Sequence, residues 1–284
     1  MISSMLNYSV RFLKRFIVLV PGIIIAYISV RNIFPYFDQR LPLGFAILAT
    51  WVLGAYVLVP FLIRVVRIFL PAKHLPLYCV TPDGFASDPL NIGIVGTRRQ
   101  LLQAMEAAGW QTADPRTLRA LVHQLYSFVF EEPYPTAPMS HLYLFGRRQD
   151  LAFEIALKSG TNRHHVRFWA TTFTDSKQLS VASIHWHHRK THVQGDNLLW
   201  VGAASLDAGL APIKHNLQIT HMIHPDTNQE RELIVSQLRA AKVVKKVTSL
   251  KLQKPTRLNN RALRGYLHTD GRMAIIDLKP AAKR

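Results

Sequence analysis

A carboxylate, an imidazole and a guanidinium stand at spacings that two neighbouring strands would bring together. Glu154 lies in LAFEIAL, residues 151–157, and His165 and Arg167 lie in RHHVRFWATTF, residues 163–173. Side chains alternate across a strand, so His165, Arg167 and Trp169 share one face, while His164, Val166, Phe168 and Ala170 share the other. The second set predicts a core face, with Phe168 buried; the first predicts a polar one. Such a trio could hold a phosphate or run acid/base chemistry. It could equally form cross-strand partners on a solvated face.

A second constellation, His221, His224, Asp226 and Glu230, offers nitrogen and oxygen ligands for a divalent metal within ten residues. The spacing is not HExxH, and Pro225 interrupts any helical alignment. Asp226 and Thr227 also suit a helix N-terminus, where an acid is favoured by the dipole, and Thr227 and Glu230 have capping-box spacing. In HWHHRKTH, residues 185–192, His185 and His187 would share a strand face, which allows a two-histidine metal edge; an exposed hairpin tip before Gln194-Gly195-Asp196 is the other reading. Arg98 and Arg99 open a helix that could meet an anion, although GIVGTRRQ is no phosphate-binding Walker loop. There is no GxSxG, no CxxC and no GxGxxG after a strand, which lowers the case for an enzyme. No cofactor is predicted, a divalent metal being the alternative. The lone Cys79, in the apolar run LPLYCV, cannot pair within the chain and reads as a small core residue.

The elements that must position these residues divide the chain. Residues 41–63 are uncharged for 23 positions, long enough to cross a bilayer core of roughly 30 Å. Residues 16–30, extended by Arg31, whose stem can snorkel, supply a second span. A secretory signal peptide is the rival, but no small-residue cleavage site follows. Arg11, Lys14 and Arg15 precede the pair, Arg31 and Arg40 lie between, and Arg64, Arg67 and Lys73 follow; the positive-inside rule puts both termini in the cytoplasm. Beyond the hairpin, IGIV (92–95) predicts a strand. A helix starts with a Thr97–Gln100 capping box and stops at Gly109, and a second helix over 116–130 carries Leu118, Leu121, Val122 and Leu125. HLYLF and LAFEIAL predict a hairpin, followed by strands over 164–173, 198–207 and 216–220, a helix from about Pro225, and terminal strands in VTSLKLQ and GYLHTDGRMAIIDL. Strands outnumber helices without alternating with them. The predicted class is α+β: an N-terminal two-helix transmembrane hairpin, then a mostly antiparallel sheet with packed helices.

The net charge of +18 is unevenly placed. Residues 75–238 hold fourteen Lys/Arg and fourteen acids, whereas 239–284 hold thirteen and two. Lys242, Lys245, Lys246, Lys251 and Lys254 are therefore candidates for contact with anionic membrane lipid. A basic tail without a partner is an alternative, and nucleic acid is a weaker one.

Several phrases together resemble one family. APMSHLYLFGRRQDLAFE, RHHVRFW, LWVGAASLD and ITHMIHPDTNQERE are similar to the LssY C-terminal domain family of bacterial membrane-associated proteins, and DPLNIGIVGTRRQLLQAMEAAGW fits the family's opening. The resemblance covers about 85–245. Some relatives join this domain to DedA-type or phosphatidic-acid-phosphatase-type membrane domains, which implies envelope or lipid-related work; it assigns no catalytic residue. The expected organisation is a transmembrane hairpin over 1–70, a linker and first strand over 71–90, the family-like domain over 91–245, and basic strands over 246–284 closing the same domain. The expected function is that of a membrane-anchored accessory or ligand-binding protein at the bacterial inner membrane, multi-pass, with a cytoplasmic domain. Its partners would be lipid and a membrane protein. The alternative is a membrane-bound hydrolase, phosphatase-like or metal-dependent, using the His/Arg/carboxylate site.

Overall fold

The computed structural model describes residues 20, 22–59, 61–62, 77–82, 86–130, 132, 134–144, 147–156, 163–171, 197–212, 219–259 and 266–280. The cations Arg11, Lys14, Arg15, Arg64, Arg67 and Lys73 and the histidine-rich 185–192 lie outside them. The chain divides into an N-terminal helical unit, up to Pro71, and a larger unit that runs from Ala72 to the end apart from Pro82–Gly84.

In the N-terminal unit a π-helical turn, Ser29–Ile33, leads into α1 (Phe34–Asp38). Then α2 (Leu43–Leu53) runs into a second π-helical turn, Gly54–Leu58. Among the described residues no helix is long and apolar enough to cross a membrane; residues 16–19 and 21 of the first expected span and 60 and 63 of the second lie outside them. Backbone bonding shifts to the wider π pattern at Ser29–Ile33 and Gly54–Leu58, with right-handed helical angles on either side of each turn.

The larger unit is α+β, with mostly antiparallel sheets. Its main sheet has the order β11 (Val244–Lys251), β14 (Arg272–Leu278), β3 (Ile92–Gly96), β9 (Leu198–Pro212), β8 (Arg163–Ala170), β7 (Leu151–Ala156) and β4 (Gln111–Thr112), with β10 (Ile219–Ile223) also paired to β9. Only β14 and β3 run parallel among these pairs. A smaller sheet has the order β2 (Ala86–Pro89), β1 (Tyr78–Val80), β5 (Tyr143–Leu144) and β6 (Arg147–Arg148), and β12 (Thr256–Asn259) pairs with β13 (Tyr266–Thr269). HLYLF thus does not pair with LAFEIAL as expected: β5 bonds to β1 and β6, whereas β7 bonds to β8 and β4. A period of two tells which face a residue takes but not which strand it meets.

Each face of the main sheet has its own core. On one, Ile92, Ile94, Phe153, Val166, Phe168, Trp200 and Ile276 pack with Leu101, Ala104 and Met105 of α3 (Arg98–Ala107) and Ile234, Val235 and Leu238 of α5 (Asn228–Ala240). Those helix residues recur at three and four, the spacing of one buried stripe. On the other face, Trp169, Val201, Ala203, Met273 and Ile275 pack with Cys79, Leu90, Leu142 and Leu144 of the small sheet and its connections. Cys79 is the small core residue its surroundings predicted. Here α3 begins with the expected capping box between Thr97 and Gln100. The second expected box is absent: Thr227 makes no cap bond, its hydroxyl donating instead to the His268 carbonyl at 3.1 Å. Helix α4 (Leu118–Phe130) forms as predicted, but Leu118 and Val122 face outward.

Candidate functional site

Strand pairing brings the first trio together. Glu154 of β7 is opposite His165 of β8, which is opposite Ser205 of β9, and Arg167 lies one step further along the same face. That face is not solvated. The chain passes from β2 in the small sheet to β3 in the main sheet across only Leu90 and Asn91. Asn91 locks this corner, donating to the Ala204 and Thr227 carbonyls and accepting from the Ala204 amide, each at 2.9 Å. The corner lays Asp88 over β8. Glu154 is 0% exposed, His165 3% and Arg167 6%, which corrects the expectation of an open polar face.

The buried groups neutralise one another. Asp88 Oδ2 accepts from Arg167 Nη1 at 2.9 Å and lies 3.4 Å from His165 Nε2. Asp88 Oδ1 accepts from the Ser87 hydroxyl at 3.0 Å. Asp207 Oδ1 is 3.1 Å from His165 Nδ1, and Ser205 Oγ is 2.9 Å from His165 Nε2. Burial alone would lower the pKa of His165, but Asp207 and Asp88 overcome it and push the imidazole up to about 9. Burial likewise works against the Asp88 carboxylate, and His165 and Arg167 outweigh it, holding Asp88 well below the usual range. Two carboxylates thus face two cations, the arrangement that makes a buried charge cluster tolerable.

Ser205, His165 and Asp207 have the hydrogen-bonded order of a nucleophile, a base and its orienting acid. The electrostatics oppose that use. With both ring nitrogens protonated near neutral pH, His165 has no lone pair to take the serine proton, and Ser205 is fully buried.

Glu154 differs from its neighbours. Its Oε2 accepts from Arg163 Nη1 at 3.0 Å, while Oε1, like Arg167 Nε, is buried with no hydrogen-bond partner among the described residues. Burial, offset only in part by Arg163, lifts its pKa from 4.5 to about 7.

The second constellation does not converge. His164, on the opposite face from His165, puts Nδ1 2.9 Å from both carboxylate oxygens of Glu230. His224 Nδ1 instead accepts from the Asp226 amide at 3.3 Å, and Asp226 Oδ1 accepts from Asn228. The backbone of His221 pairs with Leu210, and its side chain lies outside the described atoms. Among the described residues no group of three or more His, Cys, Asp or Glu could hold a metal ion. The helix start at Asn228 explains this: it turns Glu230 toward β8 and leaves Asp226 to bond its own turn. Arg98 and Arg99 stand in the first turn of α3 behind the Thr97 cap. Of the five candidate lysines, Lys245, Lys246 and Lys251 lie exposed on β11, at the end of the main sheet, where lysine also keeps a strand edge from pairing with another chain. Lys242 forms the turn after α5 at φ 60°, and Lys254 is exposed beyond β11.

A cleft that the sequence reading missed opens beside α4. It has a volume of about 630 Å³ and is lined by Asp114, Thr117, Arg119, His123 and Tyr134, with Pro115 and Ala120. Asp114 Oδ2 accepts from the Tyr134 hydroxyl at 2.7 Å and from Thr136 at 3.1 Å, and the Tyr134 ring stacks on His123 at 4.1 Å. Desolvation, then Asp114, pushes the Tyr134 phenol up to about 12, with a smaller push from Glu154. Ser205 and Asp207 left one legible signal, polar residues two apart in LLWVGAASLD; Asp88 left none, because it comes from a distant segment, and the cleft left none, because it depends on how the chain after α4 returns to put Tyr134 against His123.

No characterised protein and no solved structure matches the chain. Residues 72–273, which contain the phrases quoted above, match the family described as LssY C-terminus. The larger unit, with Asp88 folded over His165 and Arg167, is therefore the domain by which this chain belongs to the LssY C-terminal family.

Proposed function

We propose that the chain is a membrane-anchored ligand-binding protein, with its domain on the cytoplasmic side of a bacterial inner membrane and its recognition site in the Asp114–Tyr134 cleft. One observation carries the reading: the cleft is open and brings a carboxylate, a guanidinium, an imidazole and a phenol together on about 630 Å³, within the ~300–1,000 Å³ of small-molecule sites. Cationic and anionic groups on one wall suit a small polar or amphiphilic molecule. The anchor is supported by the apolar surface of the N-terminal unit, where Ile23, Tyr27, Val30, Phe45, Ile47 and Leu48 are more than half exposed. Water disfavours that much exposed apolar surface, and lipid does not. The helical run over 43–58 has no break between α2 and the π-helical turn, Leu53 keeping right-handed helical angles.

The second reading, a hydrolase using Ser205, rests on the hydrogen-bonded order of Ser205, His165 and Asp207. The two are separated by mass spectrometry under native conditions on the full chain released from its membrane. A bound small molecule is expected, and it should be lost in His123→Ala and Tyr134→Phe. Labelling of Ser205 by a fluorophosphonate, or stoichiometric zinc or manganese in the purified chain, would replace binding with hydrolysis. A reporter active only in the periplasm, fused after residue 75, should stay silent.

A further inference from the structure

We infer that α4 is an interfacial helix that seats an exposed apolar ridge in an anionic lipid bilayer. Leu118, Val122, Tyr126 and Phe130 follow one another at intervals of four and are 80%, 59%, 46% and 60% exposed. Each interval advances the ridge by only about 40° around the axis. It therefore runs obliquely down the whole helix, closed by the Tyr126 and Phe130 rings at 4.4 Å. The side that meets the domain is the other one, with Ala120 buried and Leu121 half-buried. A Thr117 hydroxyl accepting the Ala120 amide at 3.1 Å fixes where the helix begins.

The charge beside the ridge names the occupant. Arg116 and Arg119 are exposed at its start, and no Asp or Glu occurs from residue 115 to residue 130; Glu131 and Glu132 follow the helix. An apolar ridge with an aromatic end and guanidinium groups at its border is the pattern of helices that lie in the plane of a membrane. Anionic headgroups attract the arginines, whereas a second copy of the chain, at a net charge of +18, would bring like charges together. This contact is separate from the lysines of β11 and from the ligand assigned to the cleft. Arg119 and His123 line that cleft, so seating α4 in lipid turns its mouth toward the headgroups.

The test uses the full chain carrying Val122→Cys, labelled with a fluorophore that reports polarity; Cys79 is fully buried and stays unlabelled. Gln103→Cys, exposed on α3, is the control. In phosphatidylcholine vesicles containing phosphatidylglycerol, the label at 122 should shift to the blue and be quenched by nitroxide lipids several-fold more than the label at 103. Replacing Arg116 and Arg119 by Gln should weaken this, as should high salt. A chain that floats with these vesicles yet leaves position 122 as open to aqueous iodide as position 103 overturns the ridge while leaving the anchor. A chain that floats only with phosphatidylglycerol and is quenched at 122 keeps the ridge and removes the anchor. Concentration-dependent self-quenching at 122 without lipid would assign the ridge to a second copy and overturn the inference.

Discussion

At the scale of single residues, burial decides what Glu154 and His165 can do. Both have folded-state pKa values raised above their ordinary ones, 4.5 to about 7 for Glu154 and 6.5 to about 9 for His165. A raised value means that the folded state binds the proton more tightly. The stability it contributes is complete below the ordinary pKa and is lost as pH climbs through the folded one. Glu154 therefore costs stability between pH 4.5 and about 7, and His165 between 6.5 and about 9. Replacing Glu154 by Gln should leave stability unchanged near pH 4 and raise it at pH 8, by up to roughly 3 kcal/mol, as urea melts at the two pH values would show. His165→Gln should destabilise at neutral pH and flatten the decline above pH 6.5. An identical pH profile in wild type and Glu154→Gln would mean that the carboxylate is solvated.

Among the elements, two helices with the same sequence signature start differently. Thr97 and Gln100 make both bonds of a capping box at the head of α3, whereas Thr227 has helical angles, is 1% exposed and spends its hydroxyl on His268. Thr97→Ala should cost about 1 kcal/mol, and Thr97→Asn should recover most of it. Thr227→Asn, which would improve an ordinary cap, is expected to destabilise instead, because the larger side chain must enter the contact with β13. Thermal melts of the three variants distinguish a cap from a buried strap. Glu230 is released from capping by the same geometry and becomes the partner of His164.

For the molecule as a whole, the Asp88–Arg167–His165–Asp207 cluster is the polar clasp between the small sheet and the main one. Removing one member leaves its partner charged and buried, so Arg167→Met should cost about 3–5 kcal/mol. Adding Asp88→Leu should return part of that loss, since His165 and Asp207 still neutralise each other. Denaturation of the full chain in detergent would measure both variants; additive losses would show that Asp88 and Arg167 do not interact. Packing within the main sheet is tight as well. A Cβ at Gly202 would stand 2.6 Å from the Phe168 ring and 2.7 Å from Ile92, so the two strands flanking β9 at this point require glycine.

What the sequence determined by itself was local. Alternation along RHHVRFWA assigned Phe168 to one face and His165 to the other, three- and four-residue spacing predicted α4, and the Thr97–Gln100 pair and Gly109 marked the start and stop of α3. Period and capping act over a few residues, so they can be read along the chain. What lay over each face was decided only in three dimensions. Asp88 reaches His165 across 77 positions in sequence and Ser205 reaches the same histidine across 40, and no local pattern states which strand will cover another. The same reason turned Leu118 and Val122 outward: helical spacing shows that a stripe exists, and only tertiary packing shows whether protein covers it.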